Sequence, residues 1–419
     1  MKAYAMVRAA LTFVALCLSL PLTATAGFGQ DVGADVGGGA GIFRPRNPET
    51  KKTTAKPMTP VIKPSTKPGV HNNRGAAAAA AASEERAEEL LAKGNEFRDA
   101  RRFTEAEEAY QGVLKLKPRD GRAAYGLGNV YTDQQRWENA EAAYRNAAQW
   151  SPSNVDALVA LSVVLVQPRT GADNAKRLAD AESFARRAVQ LQPTNAVAWD
   201  RLGVAMQSRG SVTNETEHAY RRAVELDPQF AVAYVHLGRV LKRLGRNKEA
   251  EPLYDQAISL AKDAATLNLI VESLQAEQQW EQSGPVLLRA LALDQRNPTA
   301  LFLMGRMLVV LKRYREAETY LKTSTEVSPR AFQAFNLLGR IYLALDRYAD
   351  AEVTYERAAA LAPEGDRKQL AGAFGFQGVG DGYLKTNEHA NAARAYQRAL
   401  ELDPGNKEIE QKLSKARSR

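Results

Sequence analysis

Cysteine is almost absent from this sequence of 419 residues, and the only one, Cys17, lies in an apolar stretch near the amino terminus. If that stretch is removed as a signal peptide, the mature chain can have no disulfide, no thiol nucleophile and no cysteine metal site. Histidine is also scarce: there are four, and none has the H-E-x-x-H spacing of a zinc site. There is no G-x-S-x-G nucleophile motif either. The sequence therefore predicts no enzyme, no metal site, no cofactor and no small-molecule substrate.

The amino terminus has the features of a secretory signal peptide. Positive charge at Lys2 and Arg8 is combined with an apolar run over residues 9–22 and a small-x-small motif that ends at Ala26. The run is shorter than the roughly 20 residues that span a bilayer as a helix. We expect cleavage after Ala26 and export to the periplasm or envelope of a bacterium. Two alternatives stay open, an uncleaved anchor and a poorly fitting lipidation signal at Cys17.

Residues 27–84 are predicted to be a disordered basic linker, first rich in glycine, then in lysine, threonine and proline, and ending in poly-alanine. Such a segment has too little apolar surface to fold alone. The poly-alanine run over residues 76–82 is expected to extend the first helix backwards. The net charge of +9 is shared unevenly: the signal carries +2 and residues 27–74 carry +5, which leaves +2 for the rest. An anionic cell-wall or envelope polymer would therefore be attracted mainly to the linker, and nucleic acid binding is not expected.

A pattern of about 34 residues recurs nine times over residues 85–404. Each copy has a small residue in a predicted first helix, another small residue about twelve positions later and, in most copies, a closing proline, which cannot continue a helix. The first small residue of each copy forms a glycine ladder, whose members are Gly94, Gly128, Ser162, Gly203, Gly238, Val271, Gly305, Gly339 and Gly380.

One copy shows the physical logic, because a single helical stripe is formed by Tyr234, Leu237, Gly238 and Leu241. A glycine within a helix costs roughly 1 kcal/mol relative to alanine, so its presence indicates the close approach of a second helix. A second stripe, which contains Tyr254, follows after a turn. Each copy is therefore predicted to be an antiparallel helical hairpin.

The order W-x2-L-G-x2-Y, then A-x3-F, then P at this period resembles that of tetratricopeptide repeats. Repeat two matches it with Leu127, Gly128, Tyr131, Ala140, Tyr144, Ala147 and Pro152. The resemblance implies an all-α, right-handed superhelical solenoid of about nine hairpins over residues 85–404, closed by a capping helix over residues 405–419. Extra residues predict irregular geometry in repeat three, around 168–176, and before repeat nine, around 364–369. Repeat six is the most degenerate copy.

In this family the first helix of each hairpin lines a concave groove, so the resemblance directs attention to the residue after each ladder position. The candidate groove residues are Asn95, Asn129, Val163, Val204, Arg239, Arg306 and Arg340, together with Asn336 four residues before the last. The asparagines and Arg340 resemble parts of a carboxylate clamp. The full clamp is rejected, because Val159 and Val163 stand where it needs a basic pair. An ordinary solvated helix face is the alternative interpretation of the arginines.

These features predict a non-catalytic scaffold or adaptor in the bacterial envelope that binds a peptide or protein, acidic in view of the arginines. A polysaccharide- or peptidoglycan-binding assembly factor is the alternative. His236, beside a packing stripe, is interpreted as a helix-surface or satisfied interior histidine, and Tyr144, Tyr220 and Tyr355 are interpreted as core residues.

Overall fold

A computed structural model describes residues 71–167 and 173–418 of the chain. The predicted signal peptide, its cleavage point and most of the predicted linker lie outside these residues. The described part contains α-helices, one short 3-10 helix and no strand. The predicted all-α class of helical hairpins is therefore confirmed. None of the described helices is both long enough and apolar enough to cross a bilayer.

The chain divides into two compact units, with the division between Arg246 and Asn247. Within the described residues, the first unit contains four helical hairpins, formed by successive helix pairs, and one further helix. Its helices are α1 (His71–Asp99), α2 (Phe103–Leu116), α3 (Gly121–Asp133), α4 (Trp137–Trp150), α5 (Val155–Leu165), α6 (Asn174–Leu191), α7 (Ala196–Ser208), α8 (Asn214–Leu226) and α9 (Ala231–Arg243).

The second unit begins with α10 and continues with the hairpins α11/α12, α13/α14, α15/α16 and α18/α19. Its helices are α10 (Asn247–Leu260), α11 (Ala264–Ala276), α12 (Trp280–Leu293), α13 (Pro298–Val310), α14 (Tyr314–Val327), α15 (Phe332–Ala344), α16 (Tyr348–Leu361), α17 (Glu364–Arg367), α18 (Phe376–Lys385), α19 (His389–Leu402) and α20 (Lys407–Arg417). Helix α20 packs on α19 and buries Ile409 and Leu413.

Side-chain caps fix where most first helices begin. Asn154 accepts a hydrogen bond at 3.1 Å from the backbone amide of Ala157, which satisfies one of the donors that a helix amino terminus leaves unpaired. The same arrangement occurs at Asp120, Asn195, Asp263, Asn297 and Asn406. In four of these six repeats a proline stands two residues before the cap and closes the preceding helix.

The glycine ladder marks the closest approach of the two helices in a hairpin. A Cβ atom added to Gly128 would lie 2.4 Å from the Tyr144 ring, and one added to Gly339 would lie 2.6 Å from the Tyr355 ring. Carbon atoms that are not bonded to each other normally stay about 3.5–4.0 Å apart. The prediction that glycine is present to admit a second helix is therefore confirmed at these positions.

Each unit contains segments that depart from the regular repeat, and the sequence analysis predicted some of these segments. Helix α1 begins at His71, so residues 71–84 of the predicted disordered linker are helical, and the poly-alanine run extends the first helix. The extra residues before repeat nine form α17 and a 3-10 helix, Lys368–Ala371. In repeat three the extra residues 168–172 lie outside the described residues.

Candidate functional site

The two candidate groove residues nearest the amino terminus are tied to a tyrosine in the second helix of their own hairpin. Asn95 Oδ1 accepts a hydrogen bond from the Tyr110 hydroxyl at 2.7 Å. Asn129 Oδ1 accepts one from the Tyr144 hydroxyl, also at 2.7 Å, and Asn129 is buried. The amide oxygens are therefore used within the fold, where they accept from the hydroxyls of buried tyrosines.

Val163 is a correction to the sequence analysis, because its side chain is only 7% exposed. It lies in α5, where every residue from Ala157 to Leu165 is buried. A residue in this environment contributes to packing and cannot line an open surface. Val204, in the next repeat, is half-buried. It offers no acceptor, and the tyrosine of its hairpin, Tyr220, donates instead to Gln207 Oε1 at 3.0 Å.

The three predicted arginines have different surroundings. Arg239 belongs to the first unit and is half-buried, and its charge opposes the rise in the pKa of Tyr220 that burial causes. Arg306 belongs to the second unit and donates from Nε to Gln275 Oε1 at 2.8 Å. Burial lowers the pKa of Arg306 to about 10, although nearby Glu272 raises it. Arg306 therefore serves the contact between two repeats.

Arg340 shares its repeat position with Arg306 but lacks its acceptor. Its side chain is half-buried, and its guanidinium carbon lies 5.1 Å from the centroid of the Phe374 ring. Phe374 is 41% exposed, so this cation and ring form a surface open to solvent. In the described ranges, 71–167 and 173–418, Arg340 has no hydrogen bond or ion pair, and neither has Asn336, one helical turn away. The structure thus brings together two of the predicted residues and one that the sequence analysis missed.

Two other arginines of the second unit are paired with carboxylates. Arg394 Nε lies 2.7 Å from Glu352 Oε1, and Arg398 Nη2 lies 2.9 Å from Glu356 Oε2. These pairs line a shallow depression of about 550 Å³ between α16 and α19. Since each cation already has its anion, the depression is less suited than the Arg340 surface to attract a charged ligand.

A buried polar pair that the sequence analysis missed in part joins two repeats of the first unit. His236 Nδ1 lies 2.7 Å from Asp200 Oδ1, and Asp200 is completely buried. Arg201 Nε is 3.5 Å from the other carboxylate oxygen. Burial raises the pKa of Asp200, but the interactions with His236 and Arg201 outweigh burial and hold that pKa below its usual value. The interpretation of His236 as a satisfied interior histidine is confirmed.

The described residues contain no cluster of three His, Cys, Asp or Glu side chains that could hold a metal.

Two family models, both described as tetratricopeptide repeat, match the chain. One matches residues 91–155 and 303–366, and the other matches residues 231–263 and 379–406. The matched ranges include both helices of hairpins α3/α4 and α15/α16, both α9 and α10, and much of hairpins α1/α2, α13/α14 and α18/α19. No curated protein matches the chain.

Several solved structures are similar to parts of the chain. TTC0263, a thermophilic TPR protein in Thermus thermophilus, is 20% identical over 45% of this chain and 99% of its own, with a TM-score of 0.38. The MamA protein is 22% identical over 42% of this chain and 92% of its own, with a TM-score of 0.36. YrrB, a TPR protein with an unusual peptide-binding site, is 22% identical over 43% of this chain and 92% of its own, with a TM-score of 0.34.

Proposed function

We propose that this tetratricopeptide repeat protein is a non-catalytic scaffold of the bacterial envelope that binds a peptide or protein partner on the first helices of its second unit. The observation that carries the proposal is the surface formed by Asn336, Arg340 and Phe374. Its polar groups have no partner within the described residues, and its ring is exposed. A cation beside an exposed aromatic ring, on a rigid helix, is suited to an acidic or amphipathic segment.

The rest of the ladder supports this choice of surface by exclusion. Asn95 and Asn129 already accept from tyrosines, Val163 is buried, and Arg306 donates to Gln275. Of the eight candidate groove residues, Arg239, Asn336 and Arg340 form no hydrogen bond or ion pair within the described residues, and of these Arg340, one helical turn from Asn336, lies beside an exposed aromatic ring. A partner can therefore bind them without displacing an existing hydrogen bond.

Charge reversal at Arg340 tests the proposal. Arg340→Glu in the full-length chain should leave the helical circular dichroism unchanged, since a half-exposed charge without a partner contributes about 0–1 kcal/mol to stability. The partners recovered by cross-linked capture from producing cells should be lost. Arg315→Glu is the matched control, because Arg315 is an exposed arginine on the second helix of repeat seven. A folded Arg340→Glu variant that recovers the same partners as Arg315→Glu would overturn the proposal and direct attention to the first unit or the linker.

Polysaccharide or peptidoglycan binding is the second candidate, and the described surface supports it less. Glycan sites need aromatic rings in the open. Phe374 is the only aromatic residue among the exposed large apolar side chains of the described part. One exposed phenylalanine offers a single stacking face. Isolated peptidoglycan that retained the wild-type chain and released Phe374→Ala would favour the glycan over the peptide.

The envelope location rests on the amino-terminal sequence alone. We propose that the chain is exported and cleaved after Ala26, because charge, apolar run and small-x-small motif occur in the order of a signal peptide. Amino-terminal sequencing of the mature protein should begin at Gly27. A chain that starts at Met1 and stays in the cytoplasm would contradict both the cleavage and the location.

A further inference from the structure

Helix α12, the second helix of repeat six, has an apolar face that the described part of its unit leaves in solvent. Pro285, Leu288 and Ala292 are all exposed, and their spacing of three and four residues places them on one stripe of the helix. The side chain of Leu288, in the middle of this stripe, is 58% exposed. An exposed apolar stripe of this kind is a candidate for contact with another molecule.

The other second helices carry charge where α12 is apolar. The positions of Gly284 and Leu288, four residues apart, hold a glutamate and a basic residue in repeats two, three, four and seven. These residues form ion pairs within the helix, namely Glu141 with Arg145 at 2.9 Å, Glu182 with Arg186 at 2.7 Å, Glu217 with Arg221 at 2.7 Å and Glu318 with Lys322 at 2.8 Å. Repeat six has a glycine and a leucine instead, and all eight other repeats have a charged residue or a glutamine at the position of Leu288.

The one charged residue between Gln282 and Leu293 is engaged elsewhere. Arg289 donates to the backbone oxygens of Ile258 and Ala261, at the carboxyl end of α10. A guanidinium at that place satisfies carbonyl groups that the end of a helix leaves unpaired. The stripe over Leu288 is therefore not neutralised by a charge of its own helix, and it stays apolar.

Opposite charges lie at the two ends of the stripe. Glu281 begins it, seven residues before Leu288, and Arg296 follows the end of α12, eight residues after Leu288. Both residues are exposed, and in the described ranges neither side chain has a hydrogen bond or an ion pair. The surface is thus negative at one end, apolar in the middle and positive at the other end, with Leu288 near its centre.

We propose that α12 pairs with the α12 of a second copy of this chain, antiparallel and about a two-fold axis at Leu288. A two-fold contact joins the same surface of both copies, so that surface must be complementary to itself. Inversion of the stripe about Leu288 brings the Glu281 end of each copy to the Arg296 end of the other and places the apolar centres together. Gly284 adds no Cβ atom, so a second backbone can approach α12 closely.

This surface belongs to a second helix and does not include Asn336, Arg340 or Phe374, so the inference is independent of the proposed function. A contact made mainly by one helix from each copy lies at the small end of specific interfaces. We therefore expect a reversible dimer with a Kd on the order of micromolar.

Sedimentation velocity over about 1–100 μM, with the chain as purified from producing cells, tests the proposal. The wild-type chain should change from monomer to dimer in this range. Leu288→Arg should weaken the dimer by at least about 100-fold, because it removes two apolar side chains from the axis and brings two like charges together. Arginine occupies this position in repeats two, three and four, so the variant should keep its helical circular dichroism.

Val353→Arg is the matched control. Val353 is an apolar residue of α16 in the same unit, and it is 72% exposed. This variant should dimerise as the wild-type chain does.

A charge exchange tests the antiparallel arrangement. Glu281→Arg alone and Arg296→Glu alone should each weaken the dimer by about 2- to 30-fold, because each exposed ion pair occurs twice in a symmetric dimer. The variant with both changes should dimerise nearly as the wild-type chain does, since the opposite charges meet again. A double variant weaker than both single variants would overturn the antiparallel pairing.

The second-copy proposal would be overturned by a wild-type chain that stays monomeric up to about 100 μM, by a dimer that persists in Leu288→Arg, or by a dimer that Val353→Arg dissociates equally. If the chain is monomeric and Leu288→Arg loses a protein that Val353→Arg still captures, the face belongs to another protein and not to a second copy. Arg340→Glu should dimerise like the wild-type chain, so failure of the proposed function and failure of the dimer are observed separately.

Discussion

Replacing a helical glycine of the second unit by alanine should destabilise the chain at Gly339, a member of the glycine ladder, and stabilise it at Gly284. Gly339→Ala places a methyl group 2.6 Å from the Tyr355 ring, about 1 Å inside normal contact. Forcing extra volume into a packed interface costs about 1–3 kcal/mol, and the better helix propensity of alanine returns about 1 kcal/mol. We therefore expect a net loss of stability of up to about 2 kcal/mol in hairpin α15/α16.

Gly284→Ala is the matched control. Gly284 lies within α12, and a Cβ atom there would meet only Met307 Sδ at 3.5 Å, an ordinary contact. The same substitution should therefore stabilise the chain by up to about 1 kcal/mol, the helix-propensity gain, reduced by the cost of placing a Cβ atom directly before Pro285. The two variants add the same atoms to the same kind of backbone, so the difference between them measures the close approach of the helices.

Native-state hydrogen exchange measures both variants in the full-length chain. Each repeat contacts mainly its neighbours, so Gly339→Ala should reduce protection in α15, α16 and the adjoining helices and leave the first unit unchanged. If Gly339→Ala increased protection as Gly284→Ala does, the tyrosine ring would not limit the approach. A uniform loss of protection over the whole chain would contradict the local character of repeat packing.

Two further predictions concern buried polar groups. Tyr144→Phe removes the donor to buried Asn129 and should lower the free energy of unfolding by about 1–3 kcal/mol. Tyr355→Phe removes a hydroxyl without a partner in the described residues and should be nearly neutral or stabilising. Urea denaturation that ranked the two variants in the opposite order would contradict the hydrogen-bond assignments. Because the folded-state pKa of Asp200 is depressed, its contribution is present above the ordinary value of about 3.9 and is lost as pH falls through the folded-state pKa. Asp200→Asn should flatten the stability profile on the acid side, and an unchanged profile would show that the pair with His236 does not matter there.

The hairpin architecture could be predicted because its cause is local and repeated. A glycine in mid-stripe, an aromatic residue in the second helix and a closing proline recur in register, and each has a steric reason that one copy already shows. Gly339 and Tyr355 illustrate this, since the repeat register alone places them opposite each other. The start of α1 at His71 was harder to predict. Alanine favours a helix, but a run of alanines has no pattern of apolar and polar residues that marks where the helix begins.

The candidate site was predicted less well, because position in the repeat does not determine what a side chain meets. Val163 follows the ladder register but lies in a helix with no charged residue after Asp156, and a helix apolar on all sides is buried. That signal was present in the sequence and was missed. Arg306 and Arg340 are equivalent by register, and their difference depends on Gln275 and Val309 of the preceding repeats. The pattern of a single repeat does not contain this information. Only a comparison of the contacts between successive repeats distinguishes the two arginines.

The hydroxyl of Tyr355 is not required by packing. Leu321 fills the same position beneath Gly305 in repeat seven, and a Cβ atom on that glycine would lie 2.5 Å from its side chain, as close as at the tyrosines. An apolar side chain therefore suffices for the hairpin. A hydroxyl buried without an acceptor costs stability, yet repeat eight combines one with an arginine that also lacks an acceptor in the described part of the chain. Replacing that hydroxyl by hydrogen in Tyr355→Phe should therefore cost the hairpin no stability, whereas the same change at Tyr144 removes a hydrogen bond.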